Sequence, residues 1–258
     1  MRLATWNVNS LKVRLPHLLD WLAQASPDVV CLQETKLEDS VFPVDVLAEQ
    51  GWHVAFAGQK TYNGVAILAR EPLQQVDRGI PGFDDPQQRV ISATIRGVRV
   101  VCVYVPNGQA VDSDKYRYKL AWLDALQGWL AGELGRHERV AVLGDYNIAP
   151  RDQDVYDPAA FGEGILVSPA ERQAFQRLLQ LGLNDSFPAE AAEEPVFTWW
   201  DYRMASFRRN LGLRIDHILL SGSLARQATG WRVDRTPRRL ERPSDHAPVL
   251  VDVPDFAG

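Results

Sequence analysis

Cysteine is scarce in this chain of 258 residues, and the scarcity closes off two classes at once. The only two, Cys31 and Cys102, lie inside the apolar runs VVCL and VVCVYV, where a thiol behaves as a small buried hydrophobe. That argues against a disulfide-stapled secreted scaffold and a cysteine-ligated zinc site, and reduced thiols fit a reducing cytoplasm. Long apolar runs are missing as well. No stretch reaches the about 18 apolar residues that mark a membrane span, and the amino terminus MRLATWNVN turns polar at Asn7, too early for a secretory signal. A basic excess is also absent: 28 Lys and Arg against 33 Asp and Glu give a net charge of −5, which argues against a general nucleic-acid coat.

What is present is a composition, 46% hydrophobic and 24% charged, able to bury a sizeable core. The net charge hides a local excess. Between residues 203 and 242 ten arginines face only Asp216, Asp234 and Glu241, and the stretch opens on Trp199, Trp200, Tyr202 and Phe207. An arginine-rich surface is often no more than solvated, but rings interleaved with arginine suit a nucleic acid, since they stack on bases or wedge into a groove.

Apolar runs of strand length recur from end to end: RLATWNV, DVVCLQE, WHVAFAG, GVAILAR, VRVVCVYV, RVAVLGD, IDHILLS and APVLVDV. Helical patterns are fewer. Leu15, Leu18, Leu19 and Leu22 share a face, with Pro16 expected in the first turn of that helix. An amphipathic stretch runs from about 114 to 134. In SPAERQAFQRLLQLG, Ser168 reads as the N-cap, Pro169 as the first helical residue, Glu171 as the end of a capping box and Gly182 as the stop. Strands alternating with helices and no low-complexity linker indicate one α/β domain over residues 1–258. Runs such as VVCL and VAVL are apolar at consecutive positions, so their sheets are covered on both faces. Two packed sheets flanked by helices are expected.

Polar residues collect at the same place in several runs. TWNVN ends on Asn7 and Asn9, VVCLQE on Glu34, VVCVYVPN on Tyr104 and Asn107, and VAVLGDYN on Asp145 and Asn147. Carboxyl ends of strands are where open α/β sheets keep their clefts. The last third inverts the order: Asp216 precedes the apolar residues of RIDHILL, and Asp245 and His246 precede those of PSDHAPVLV. If these two strands run antiparallel to the other four, every polar group meets at one edge. Each alone reads equally well as a cap, a turn or a strand-end charge. Their coincidence is harder to dismiss, because gathering buried carboxylates costs several kcal/mol unless a cation or proton compensates.

The cluster is rich in oxygen, with carboxylates on Glu34, Asp145 and Asp245 and amide oxygens on Asn7 and Asn147, which suits Mg²⁺ or Mn²⁺. Such an ion is the usual partner of phosphate esters. Asp145 is placed to take a proton from water, Asn147 to hold that water or the developing charge, and His246, oriented by Asp216, to bond a phosphate oxygen. Tyr104 donates to the phosphate or to the leaving oxygen. No Ser or Cys stands in a GxSxG-like setting, so direct attack by water is favoured over a covalent intermediate.

TWNVNSLKVR, LQETK, YVPNG, GDYNIAP, FTWWDYR, GLRIDHIL and PSDHAPV together resemble the exonuclease III family of DNA-repair nucleases, in the superfamily of endonucleases, exonucleases and phosphatases. The match is ordered and covers nearly the whole chain. The resemblance implies a four-layered α/β sandwich of two mixed sheets, and Mg²⁺-dependent cleavage of duplex DNA 5′ to abasic sites, at nicks and at blocked 3′ ends, with 3′→5′ exonuclease action. It makes Glu34 the principal metal ligand, Asp145 the general base, Asn147 the transition-state stabiliser and Tyr104 the phenol facing the phosphate. Asp216 and His246 would grip the phosphate, His246 within reach of the ion, while Asn7 and Asp245 complete or support the metal site. Trp199 and Leu213 would line a pocket for a flipped-out abasic sugar, Arg203 would reach into the groove, and Asn107 would join the DNA contacts of a cytoplasmic monomer. One branch of the family has aspartate after TWNV where this chain has Asn9, one carboxylate fewer near the metal. Two rivals use the same core: an enzyme confined to 3′ ends, and a phosphatase of inositol phosphates or lipids, which the arginine-rich sequel to FTWWDYR suits less well.

Overall fold

The computed structural model describes residues 1–188 and 194–255. In chain order its strands are β1 (Arg2–Asn7), β2 (Val29–Gln33), β3 (His53–Ala57), β4 (Val65–Ala69), β5 (Gln74–Arg78), β6 (Val90–Ile95), β7 (Val98–Tyr104), β8 (Val140–Asp145), β9 (Leu183–Asp185), β10 (Trp199–Trp200), β11 (Gly212–Leu213), β12 (Asp216–Ser221), β13 (Thr229–Val233) and β14 (Val249–Asp252). The α-helices are α1 (Leu11–Ala25), α2 (Val44–Glu49), α3 (Asp114–Arg136), α4 (Pro158–Phe161), α5 (Pro169–Gln180), α6 (Ser206–Arg209) and α7 (Gly222–Ala225).

Two six-stranded mixed sheets carry the fold, in the orders β13-β14-β1-β2-β4-β3 and β5-β6-β7-β8-β12-β9, with β10 and β11 as a separate ribbon. Strands β1 and β2 run parallel, as do β7 and β8. Strand β14 runs antiparallel to β1, and β12 antiparallel to β8. The start of β12 therefore lies beside the end of β8, with Asp216 opposite Asp145. The expected meeting of strand ends is produced by these directions.

Every residue of β2, β4 and β8 is buried, because each sheet is covered on both faces. Between the sheets lie Cys31, Ile67, Val100, Leu143 and Ile218. Outside the first sheet, Trp6, Leu18, Trp21 and Leu22 pack with α1 and α2, and outside the second, Trp122, Leu126, Leu130 and Phe175 pack with α3 and α5. Each such apolar side chain contributes about 1.5–3 kcal/mol on burial. Gly144 is required for a spatial reason: a Cβ there would fall 1.9 Å from the Val103 carbonyl oxygen, so β7 and β8 approach closely just where Tyr104 and Asp145 leave the sheet.

Helix α3 begins at a Ser113 cap, and α5 shows the capping box of Ser168 and Glu171. Helix α1 departs from expectation. It starts at Leu11, so Pro16 sits inside the helix rather than in its first turn. The missing proline N–H leaves the Lys12 carbonyl without its helical donor, and both Lys12 and Pro16 are exposed, where water can serve instead. The early start comes from outside the helix: the Ser10 and Leu11 N–H groups donate to the Glu34 and Thr35 carbonyls at 2.8 and 3.0 Å. No helix among the described residues is long and apolar enough to cross a membrane.

Candidate active site

At the shared edge Asn7 stands between two carboxylates. Its Nδ2 donates to Glu34 Oε1 at 2.8 Å and to Asp145 Oδ2 at 2.9 Å. Its Oδ1 accepts the Asn9 backbone N–H at 3.0 Å, and since a backbone nitrogen only donates, the amide orientation follows. Asn7 thus aligns the two carboxylates through its nitrogen and supports the site from within.

Glu34 leaves β2 at φ +52, and Lys36 follows at φ +53. A left-handed backbone in a residue other than glycine costs of order 1 kcal/mol or more and persists where surrounding contacts over-determine it. Here Ser10 and Leu11 hold the turn, and Glu34 Oε2 pairs with Lys36 Nζ at 2.9 Å. Asn147, at φ +48, is fixed in the same manner. Its N–H donates to Asp145 Oδ1 at 2.9 Å, its Nδ2 donates to the Val105 carbonyl at 3.0 Å, and its Oδ1 accepts from Asn107 Nδ2 at 3.2 Å.

His246 precedes β14. Its Nδ1 meets Asp216 Oδ2 at 2.8 Å, and its Nε2 lies 3.7 Å from Asp145 Oδ2. Thr198 Oγ1 donates to the same Asp216 oxygen at 2.6 Å. Burial alone disfavours the imidazolium, but the Asp216 and Asp145 carboxylates outweigh it and raise the His246 pKa to about 10. Asp145 is pushed up to about 7, first by desolvation and also by Asp216, against the pull of His246. Tyr104 is held well above the usual phenol range by burial and then by the Glu34 and Asp145 charges, so it keeps its proton; the Arg89 guanidinium lies 4.6 Å from its ring centroid.

Glu34, Asp145 and His246 each offer a ligand atom, all within 4.8 Å of one another. Carboxylates short of positive charge fit a hard divalent cation, with the His246 imidazolium within reach of it rather than among its donors. Asp245 stands beside this trio, its two oxygens accepting from Asn9 Nδ2 at 3.0 Å and Trp199 Nε1 at 2.9 Å.

Trp199 and Leu213 are paired across β10 and β11, but only Trp199 presents any surface. Leu213 is fully buried beneath it, packed with Leu166 and Ile215. Arg203 points outward, paired with Asp201 at 2.6 Å and 84% exposed. A cavity of about 620 Å³ opens beside Tyr104 and Asn107, walled by Gln59, Asn63 and Gln87.

One buried residue went unread in the sequence. Lys119 of α3 has no exposed surface; its Nζ donates to the Asn147 carbonyl at 2.7 Å, to the Asn107 carbonyl at 3.2 Å, and to Glu171. Its signal was present, since it shares the helix face of Tyr116, Leu123, Leu126 and Leu130, where a lysine needs an anionic partner.

The chain matches the endonuclease/exonuclease/phosphatase family over residues 4–246. Exodeoxyribonuclease III of Haemophilus influenzae is 35% identical to it over 266 residues, covering 98% of this chain and 99% of that protein. Among solved structures, the 3′ phosphatase NExo from Neisseria, bound to a product DNA hairpin, is similar with a TM-score of 0.97 at 51% identity, covering 98% of this chain and 99% of that one. An AP endonuclease from Archaeoglobus fulgidus is similar with a TM-score of 0.94 at 36% identity, with 98% and 99% covered.

Proposed function

This chain belongs to the endonuclease/exonuclease/phosphatase family and is a DNA-repair nuclease of the exodeoxyribonuclease III type, and from that premise we propose that it hydrolyses duplex DNA 5′ to abasic sites and clears blocked 3′ ends, with 3′→5′ exonuclease action. One observation carries the assignment of its site: Asn7, Glu34, Asp145, Asp216 and His246, delivered by strand ends of both sheets, form one continuous polar group.

Glu34 and Asp145 would hold Mg²⁺, with Mn²⁺ as the substitute. When bound, the ion neutralises charge on the phosphoryl and leaving oxygens. Asp145 accepts the proton of the attacking water, and the Asn147 amide, tied to Val105 and Asn107, orients that water or the charge that develops. His246, kept as imidazolium by Asp216, donates its Nε2 proton to a phosphate oxygen. Tyr104 donates its phenolic proton to the phosphate or the leaving oxygen. Around them Asn107, Trp199 and Arg203 face the DNA, with Leu213 supporting Trp199 from behind. The chain acts as one domain and as a monomer, in the reducing cytoplasm that its free thiols Cys31 and Cys102 suit.

A second reading, an enzyme confined to 3′ ends, is favoured by the 51% identity to a 3′ phosphatase. Purified protein offered two duplexes, one with an internal abasic site and one with a 3′-phosphate at a nick, decides between them. Cleavage of both in Mg²⁺ and of neither in EDTA is expected. Action on the 3′-phosphate alone selects the second reading, action on neither overturns both, and undiminished action in EDTA overturns the metal assignment.

A further inference from the structure

The arginine excess between residues 203 and 242 is only partly used by the fold. Arg203 pairs with Asp201, Arg214 with Asp154 and Asp185, and Arg232 lies 3.9 Å from Asp252. The other seven have no carboxylate partner among the described residues. Arg226 stands apart, capping α7 at the far end of β12. The remainder gather on one side of the site.

Two of them are built in rather than loose. Arg238 is 6% exposed, donates to the Trp200 carbonyl at 3.2 Å and lies 4.8 Å from the Phe207 ring centroid. Arg235 lies 5.0 Å from the Trp200 ring and 4.9 Å from that of Phe207. The Nε of each is buried without an acceptor. Rings that stack a guanidinium fix its plane, so these two hold positive charge in place within the segment that carries the exposed arginines. Exposed Arg239 and Arg242 follow on the same segment, and exposed Arg208 and Arg209 end α6. The ridge is continuous with the site, because the Trp200 N–H donates to the Asp245 carbonyl at 3.0 Å and Asp245 adjoins His246. The carboxylates near it are outnumbered: Asp201 is taken by Arg203, Asp234 accepts from Trp21 at 2.9 Å, Asp245 is bonded to Asn9 and Trp199, and exposed Glu241 is the one carboxylate on the segment between Arg239 and Arg242.

We propose that this ridge, with Arg235 and Arg238 stacked on Trp200 and Phe207 and Arg239 and Arg242 extending it, is the track for the phosphate backbone of duplex DNA flanking the cleaved bond. The inference rests on the reading of the chain as a DNA nuclease and adds where the duplex lies. Stacked arginines supply direction, exposed ones supply charge, and neither reads sequence.

The test is the dissociation constant of a fluorescent intact duplex, measured in EDTA over a series of salt concentrations. The exposed pair replaced together, Arg239→Gln with Arg242→Gln, lowers the slope of log Kd against log salt by about two. Arg226→Gln leaves it unchanged. Arg238→Lys keeps the charge but loses the stacked fork, so it weakens binding while the slope holds. An unchanged slope in the exposed double variant, or an equal fall in Arg226→Gln, overturns the proposal. Should Arg238→Lys fail to fold, the exposed pair still decides. A wild-type protein that cuts neither damaged duplex sinks the nuclease reading instead, a result read from cleavage and not from binding.

Discussion

Two buried charge clusters lie on opposite faces of β12, one residue apart. Asp216 faces His246 and Asp145, whereas His217 faces away, packed edge-on and tilted against Tyr146 and Phe175 at ring distances of 5.3 and 4.8 Å. On that second face Arg214 donates to Asp154 and Asp185 at 2.8 Å each, and Arg151 donates to Asp154. Arginines and aspartates match, and Asp154 stays below the usual carboxylate range because Arg214 and Arg151 outweigh its burial. His217 is neutral there: Arg214 can only donate to its Nδ1 at 2.9 Å, so Nε2 carries the proton given to the Ile148 carbonyl at 2.8 Å. Burial and then Arg214 lower its pKa to about 4. The first face is the reverse. Its carboxylates exceed its cations, Asp145 rises to about 7 and His246 to about 10. Matched buried charge is a structural joint, and unmatched buried charge marks a place for a ligand to complete.

Removing one carboxylate from each face breaks the comparison most directly. Asp145→Asn is expected to lower turnover on damaged duplex by about 10³-fold or more, while the thermal midpoint of the metal-free protein changes less than in Asp154→Asn, because relief of a desolvated carboxylate offsets the loss of one acceptor for Asn7 or Asn147. Retained turnover would displace Asp145 as the base. Asp154→Asn does the opposite. It leaves the buried Arg214 short of a partner and costs about 3–5 kcal/mol in urea unfolding, with turnover at low temperature staying near wild type. A loss under 1 kcal/mol would show the joint to be dispensable.

Most of the site was legible because its residues end apolar runs, and β1, β2, β7, β8, β12 and β14 all lie where their runs indicated. Strands β5, β6 and β13 went unread, although β6, VISATI, is almost wholly buried. QQVDR and TGWRV are mostly exposed or half-buried edge strands, and a two-residue alternation is weak when only one face is covered. Orientation was the other gap. TWNV promised an amide, but which end of Asn7 faces the carboxylates is decided by the Asn9 N–H, a contact across a left-handed turn that no spacing encodes. Lys119 was missed because its reason is tertiary: two carbonyls from loops distant in sequence converge on one position of a helix.

The histidines sharpen the comparison through pH. His217 has a folded pKa of about 4, below its ordinary 6.5, so its contribution is complete above pH 6.5 and is lost as pH falls toward 4, about 3 kcal/mol in all. His246 has a folded pKa above its ordinary value, so its contribution is complete below pH 6.5 and is lost as pH rises through about 10. Urea midpoints across pH separate the two: His217→Phe flattens the acid limb, and His246→Gln flattens the alkaline one. An acid limb unchanged in His217→Phe would show that histidine to be charged in the folded protein.

The smallest effect discriminates the two faces with no substitution in either. A cation that binds only the folded protein stabilises it by about 2.7 kcal/mol at a hundred times its Kd, roughly 5–10 °C in a chain of this size. Mg²⁺ should therefore raise the wild-type midpoint. Glu34→Gln and Asp145→Asn should abolish the rise, because each removes a donor from the trio around His246, and Asp154→Asn should keep it, since its carboxylate serves only Arg214 and Arg151. A rise that survives in Asp145→Asn but disappears in Asp154→Asn would assign the ion to the opposite face of β12, and the rule that unmatched charge marks the ligand site would fail for this protein.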